Sequence, residues 1–149
     1  MTTMDATPDP APPFDLILAG GAQLTQVARD LRTALDDDLA PFDVTSQQAA
    51  LLMHASGNTP NRLAALLGTD TAGMTRLLDR LETKNLIRRQ RNPADRRSIV
   101  IELTPEGRAL LPKIAPSFGR ANTRLLRGFT TAEITQLLAM LNRMRDNLA

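Results

Sequence analysis

The chain has no cysteine, no tryptophan, no tyrosine and a single histidine among its 149 residues. Without cysteine there is no disulfide, no thiol nucleophile, no thiol redox sensor and no cysteine-ligated metal. An all-imidazole metal site or a Ser/His/Asp triad would have to be built around His54 alone. Four phenylalanines are the whole aromatic complement, so a row of base-stacking rings of the kind single-strand binders use is poorly supported. No apolar run approaches the ~20 residues of a membrane span. The N-terminus has no basic stretch followed by an apolar core, so it does not read as a signal peptide. The expectation is a soluble, cytoplasmic protein without a membrane partner. No nucleophile with its base, carboxylate dyad or phosphate-cradling glycine loop is visible, and Gly20-Gly21 is too weak a signal for one. The chain is therefore expected not to be an enzyme and to need no metal or cofactor.

What is present is segregated charge. The net charge of +2 divides into −6 over residues 1–58, +4 over 59–108 and +4 over 109–149. Sixteen of the 18 basic residues are arginine, the side chain suited to bidentate recognition of phosphates and guanine edges. From Arg76 to Arg97 there are eight basic and three acidic residues.

Periodicity and caps divide the chain. Residues 1–13 hold Pro8, Pro10, Pro12 and Pro13 among small and acidic residues and read as a flexible arm. Residues 14–149 read as one domain. Leu24, Val27, Leu31, Leu35 and Leu39 recur every three or four residues, predicting an amphipathic helix over 14–39, weakened at Gly20-Gly21 and ended by Pro41. Thr45 with Gln48 forms a capping box that opens a helix to about Ser56. Thr59 and Pro60 open the next, with Leu63, Ala64, Leu66 and Leu67 expected inside and Gly68 as its stop. Asp70 caps a fourth helix carrying Met74, Leu77, Leu78 and Leu81 on its core face, closed near Lys84-Asn85. Leu86–Arg91 and Ser98–Leu103 flank the turn signal Asn92-Pro93-Ala94-Asp95 and predict a β-hairpin, its alternation blurred by Val100. Thr104-Pro105-Glu106 opens a helix that Pro112 and Pro116 are expected to kink or interrupt. Thr130 with Glu133 opens the last, through Ile134, Leu137, Leu138, Leu141 and Met144.

The expected class is thus mainly α with a small β-hairpin wing, in the order α-α-α-α-β-β-α-α. Two short helices joined at Gly68-Thr69-Asp70 form a helix-turn-helix, and the hairpin makes it winged. The second helix leaves Thr71, Ala72, Thr75, Arg76, Asp79 and Arg80 opposite its core face, with Gly73 permitting close approach to a backbone. Such a helix fits a major groove about 12 Å wide, where Arg76 reaches a guanine edge or a phosphate. Arg88, Arg89, Arg91, Arg96 and Arg97 cluster on the hairpin, and an arginine at a wing tip suits the narrow minor groove of A·T-rich DNA. The plainer reading is a solvated basic face with intrahelical pairs such as Asp79 with Lys84. The coincidence of charge with helix-turn-helix and wing favours double-stranded DNA.

The runs Val44-Thr45-Ser46-Gln47-Gln48, Leu63-Ala64, Met74 through Arg89 (MTRLLDRLETKNLIRR), Asn92 through Ser98 (NPADRRS) and Leu103 through Gly107 (LTPEG) resemble the multiple antibiotic resistance regulator (MarR) family. The resemblance implies a winged helix-turn-helix over about 45–104 and dimerisation helices over about 14–39 and 105–148. It implies a homodimer that represses or activates genes by binding a pseudo-palindrome, read here as a repressor, and that releases DNA when a small aromatic or phenolic ligand binds between the dimerisation and DNA-binding regions. By motif position, Thr71 to Arg76 would face the major groove, Asp95 would brace the wing, and Arg96 or Arg97 would reach the minor groove. The candidate DNA-binding set is Thr71, Ala72, Gly73, Thr75, Arg76, Arg80, Arg91, Asp95, Arg96 and Arg97. Asn85 stands where the family usually has glycine, and preserves a left-handed helix closure. The family's peroxide-sensing branch needs a reactive cysteine and is excluded.

Other residues carry weaker signals. His54 is a weak candidate for the ligand, a packed or half-exposed side chain being the commoner fate of a lone histidine. Asp36-Asp37-Asp38 points in several directions on a helix, which argues for a solvated acidic end paired with a basic residue elsewhere rather than a metal site. The methionines are expected to fill core. Phe14, Phe42, Phe118 and Phe129 are expected in the dimerisation lobe and at a pocket rim. Arg120, Arg124, Arg127, Arg143 and Arg145 are expected to face the acidic first helix across a dimer. The rival reading is a winged-helix module that docks on proteins without specific DNA binding, and it gives no reason for arginines on the second helix and wing.

Overall fold

A computed structural model describes residues 9–149. The expected arm lies largely in residues 1–8, outside the described residues; Asp9–Pro13 precede the first helix in no regular structure. Six helices and one hairpin follow: α1 Phe14–Leu39, α2 Ser46–His54, α3 Pro60–Leu67, α4 Thr71–Thr83, β1 Ile87–Arg91, β2 Ile99–Leu103, α5 Pro105–Leu125 and α6 Thr131–Leu148. A short 3-10 turn, Ala40–Phe42, joins α1 to α2, and Pro41 within it is its only local sign in the sequence.

The caps act where the sequence puts them. Thr45 Oγ1 accepts from the Gln48 amide while Gln48 Oε1 accepts from that of Thr45, and Thr130 with Glu133 repeats the arrangement. Glu133 gains both a backbone and a side-chain hydrogen bond from Thr130, which hold its carboxyl below the usual range. Asp70 Oδ1 accepts from Gly73 N–H at 2.7 Å. Gly68 and Asn85, at φ 63° and 58°, close α3 and α4 in the left-handed region. At α4 the Leu86 amide reaches back to Leu81 O and that of Asn85 to Glu82 O, so a buried leucine precedes a fixed reversal into β1.

One core runs through the winged unit. Leu51, Leu52, Leu63, Met74, Leu77, Leu78, Leu81, Ile87, Ile101 and Leu103 are buried together with Leu35 and Leu39 of α1 and Ile114 of α5. Ile87 pairs with Leu103 and Arg89 with Ile101 in the antiparallel hairpin. Asn58 adds an isolated bridge to Ile101, tying the α2–α3 turn to the wing base. Val100, which blurred the alternation, is buried as well, whereas Ile99 is exposed. Leu66, expected inside, is 59% exposed, because α3 is two turns long and Leu63 alone of its residues is fully buried.

Three further expectations concern the long helices. First, Pro112 and Pro116 do not interrupt α5, which is helical from Pro105 to Leu125. They stand four apart on its exposed side, away from the buried Ile114 and Ser117, so water can reach the carbonyls their missing N–H groups leave free. Second, α1 spans Phe14–Leu39 as expected, continuous through Gly20-Gly21. Third, of the five arginines expected to face α1 across a dimer, Arg120 pairs with Asp38 at 2.7 Å within one chain. The side-chain hydrogen bond from Arg120 is the main reason the Asp38 carboxyl is held below its ordinary value. Asp36 accepts from the Ser46 amide at 2.7 Å, satisfying an orphan donor at the start of α2. Two of the three consecutive aspartates thus hold α1 against α2 and α5, and no metal-ligating cluster occurs among the described residues.

Gly107 is the most closely confined of the glycines. A β-carbon there would meet Leu86 O at 2.1 Å, a backbone atom that also accepts from the Thr104 amide. Thr104, itself buried, donates to Asn85 O and accepts from Gly107 N–H. Gly107→Ala is therefore expected to destabilise the fold by about 1–3 kcal/mol, as overpacked sites do. Thermal unfolding followed by circular dichroism checks it, and a variant melting with the wild type would mean the wing base is free to shift.

Candidate nucleic-acid interface

Met74, Leu77, Leu78 and Leu81 turn inward, so α4 presents Thr71, Ala72, Thr75, Arg76 and Arg80 to solvent. The N-terminal turn of α4 has no acidic residue beyond its cap, which leaves its amide end open to an approaching anion. Gly73 is half-buried, and its lack of a side chain has a local cause: a β-carbon would sit 2.3 Å from Thr69 Oγ1 and 3.0 Å from Asp70 Oδ1. Its smallness thus shapes the turn between α3 and α4.

The wing spans the turn from Asn92 to Ser98. Asn92 Oδ1 accepts from the Ala94 amide, Asp95 Oδ1 accepts from that of Arg97 at 3.0 Å, and the Ser98 hydroxyl donates to Asp95 O. Asp95 therefore braces the turn from within, and Arg96 and Arg97 are exposed at its end. Arg89, Arg91, Arg96 and Arg97 share the walls of one open cleft of about 370 Å³ with Gln90 and Ile99.

The ten residues singled out by sequence fall into two neighbouring groups, one on α4 and one on the wing. Among the described residues none of Arg76, Arg80, Arg91, Arg96 and Arg97 takes part in an ion pair. The acids that would have silenced them are occupied elsewhere. Asp79 is bound by Arg89 at 2.7 Å, not by Lys84, and Glu82 by the same guanidinium at 2.8 Å. Lys84 turns away to the Asp43 carbonyl and carboxylate and to Gln48 Oε1. Sequence reasoning missed the Arg89 fork because its two partners lie seven and ten residues away, on another element.

The weaker candidates are dispersed. His54 is an exposed residue at the end of α2, with its carbonyl accepting from Asn58 Nδ2. Phe42 and Phe118 pack half-buried against the core, whereas Phe14 and Phe129 are 73% and 49% exposed. Of the methionines, Met74 is buried and Met53, Met140 and Met144 are exposed. No helix among the described residues is long and apolar enough to cross a membrane.

Comparisons with known proteins agree with this geometry. The model of the MarR family matches residues 45–99, from the cap of α2 to the start of β2. The chain is 36% identical over 102 residues to the uncharacterized HTH-type transcriptional regulator YhbI of Bacillus subtilis, a stretch that is 66% of each chain. Among solved structures, a variant of E. coli MarR complexed with operator DNA superposes with a TM-score of 0.78 at 28% identity, over 90% of this chain and 99% of that one. The S. aureus MepR–DNA complex does so with a TM-score of 0.79 at 26% identity, over 85% and 94%. With its capped helix-turn-helix, its arginine-tipped wing and these relatives, the chain belongs to the MarR family of transcriptional regulators.

Proposed function

We propose that the protein is a homodimeric, sequence-specific DNA-binding regulator that acts in the cytoplasm. In this reading α4 enters the major groove, Arg76 reads a base edge, Arg80 and Arg91 meet phosphates, and Arg96 or Arg97 enters the flanking minor groove. The observation that carries it is the set of five exposed arginines left without acidic partners on α4 and the wing. Two similar structures were solved with DNA, which supports the same use of this surface here.

Dimerisation is supported by what α1 and α6 leave uncovered. No residue of α6 is buried in the chain, and Leu138, Met140, Met144 and Leu148 are exposed along it. Phe14, Leu16, Ile17 and Leu18 are likewise bare at the start of α1. Large apolar side chains left bare along two long helices support an interface there. Repressor action and release by a small aromatic or phenolic effector are taken over from the family resemblance, with no residue assigned to the effector.

Fluorescence anisotropy with labelled DNA from upstream of the protein's own gene, at two salt concentrations and with unrelated competitor, tests the reading. Saturable binding that survives competitor supports it, and log K should fall by about 0.9 per neutralised phosphate per log unit of salt. Candidate effectors are then screened by release. Binding no better than to competitor DNA on every fragment tried would favour a protein-docking module. Arg97→Ala is expected to weaken chiefly sites with A·T-rich flanks. A selection of bound sequences checks this, and an unchanged flank preference would remove Arg97 from the minor groove.

A further inference from the structure

Arg89 stands apart from the other wing arginines. It lies on the face of β1 shared with Ile87, opposite Ile101, and its side chain is only 28% exposed. One guanidinium nitrogen donates to Asp79 Oδ1 at 2.7 Å and another to Glu82 Oε2 at 2.8 Å, two carboxylates one helical turn apart on α4. Among the described residues these are the only side-chain hydrogen bonds between α4 and the hairpin. The base of β2 is tied to the α2–α3 turn through Gly57, Asn58 and Ser56, whereas the wing turn beyond Arg91 is held by bonds within itself, those of Asn92, Asp95 and Ser98. Asp79 and Glu82 are 59% and 44% exposed, and ion pairs this open to water add little stability. What the fork supplies is geometry: a planar donor held by two acceptors fixes the angle between strand and helix, which a single contact would not.

We propose that Arg89 is a positioning residue that sets the reach of the wing relative to α4, so that both engage DNA at one spacing. The proposal rests on the DNA-binding reading given above. Arg89 is itself spoken for and touches no phosphate. It also neutralises Asp79, which stands three residues after Arg76 and one before Arg80 on the surface that faces DNA.

Arg89→Lys tests this, because lysine keeps the charge and loses the planar fork. It is made in the wild type and in an Asp79→Asn/Glu82→Gln background, where the fork has no carboxylates to grip. The absence of cysteine lets spin labels be placed by Thr83→Cys on α4 and Ala94→Cys on the wing, both exposed positions, with duplex binding measured on the unlabelled, cysteine-free chains. Mixing with excess unlabelled protein leaves one labelled chain per assembly. In the wild type Arg89→Lys is expected to broaden the label-to-label distance distribution and weaken duplex binding about fivefold, a coupling common between contacting residues. The melting temperature should barely move. In the Asn/Gln background the same substitution should change neither reading further. Wild-type width and affinity for Arg89→Lys would overturn the proposal. An equal loss of affinity in both backgrounds would overturn it too, by making Arg89 a direct phosphate contact. If the wild type binds no duplex even at low salt, the DNA-binding reading fails, while the label distances still decide whether the clamp orders the wing.

Discussion

Leu81→Ala is expected to destabilise the protein by about 2–5 kcal/mol, the range for deleting a fully buried leucine side chain. Leu81 is 0% exposed and stands in the last turn of α4. Its carbonyl receives the Leu86 amide that turns the chain into β1. The substitution empties the point where α4, hairpin and core meet, and neither element can collapse into the space without moving the wing. At roughly 2–4 °C per kcal/mol for a chain of this size, melting should fall by several degrees or more. Leu81→Met, which keeps the volume, should cost less than about 1.5 kcal/mol. Urea and thermal unfolding of the two variants measure the difference. Equal stability of Leu81→Ala and the wild type would mean that α4 is not held by this core.

Arg76→Ala is expected to weaken operator binding by about 1–3 kcal/mol per half-site where the guanidinium makes a bidentate base contact. In a homodimer the change falls on both recognition helices, so the total loss in well-separated half-sites is about twice that. Arg76 is exposed and has no ion-pair partner among the described residues, so its removal leaves no buried charge unmatched and should leave folding intact. Anisotropy titrations against an operator and an unrelated duplex separate two outcomes. A loss confined to the operator assigns Arg76 to base reading. An equal loss on both assigns it to phosphate, with a shallower salt slope.

The two substitutions probe opposite faces of one thirteen-residue helix. They should therefore behave independently: the buried one should lower stability, and the exposed one should lower affinity at unchanged stability. A melting temperature lowered by Arg76→Ala would mean that the outer face of α4 contributes to the fold.

The sequence by itself determined the order of elements and nearly all their ends. Thr45 with Gln48, Thr59 with Pro60, Asp70, Thr104 with Pro105 and Thr130 with Glu133 each satisfy helix-end amides from within four residues. Interactions that short are written locally, and so are the left-handed closures at Gly68 and Asn85. The inward leucines of α4 follow from the 3.6-residue period, and with them the identity of its outward residues. The tertiary structure alone decided which charges are free. Arg88, Arg89 and Arg91 look alike in the chain, yet Arg89 is held by two acids of α4 while Arg91 lies open beside Arg96 and Arg97. Asp38 finds Arg120, 82 residues away, and Lys84 finds Asp43, 41 residues away. Close packing likewise decided that Gly107 must lack a side chain, that Leu66 stays in solvent, and that two prolines ride on the open side of α5. Caps and periods depend on neighbours in sequence, whereas ion pairing and steric exclusion depend on neighbours in space, and only the folded chain brings those together.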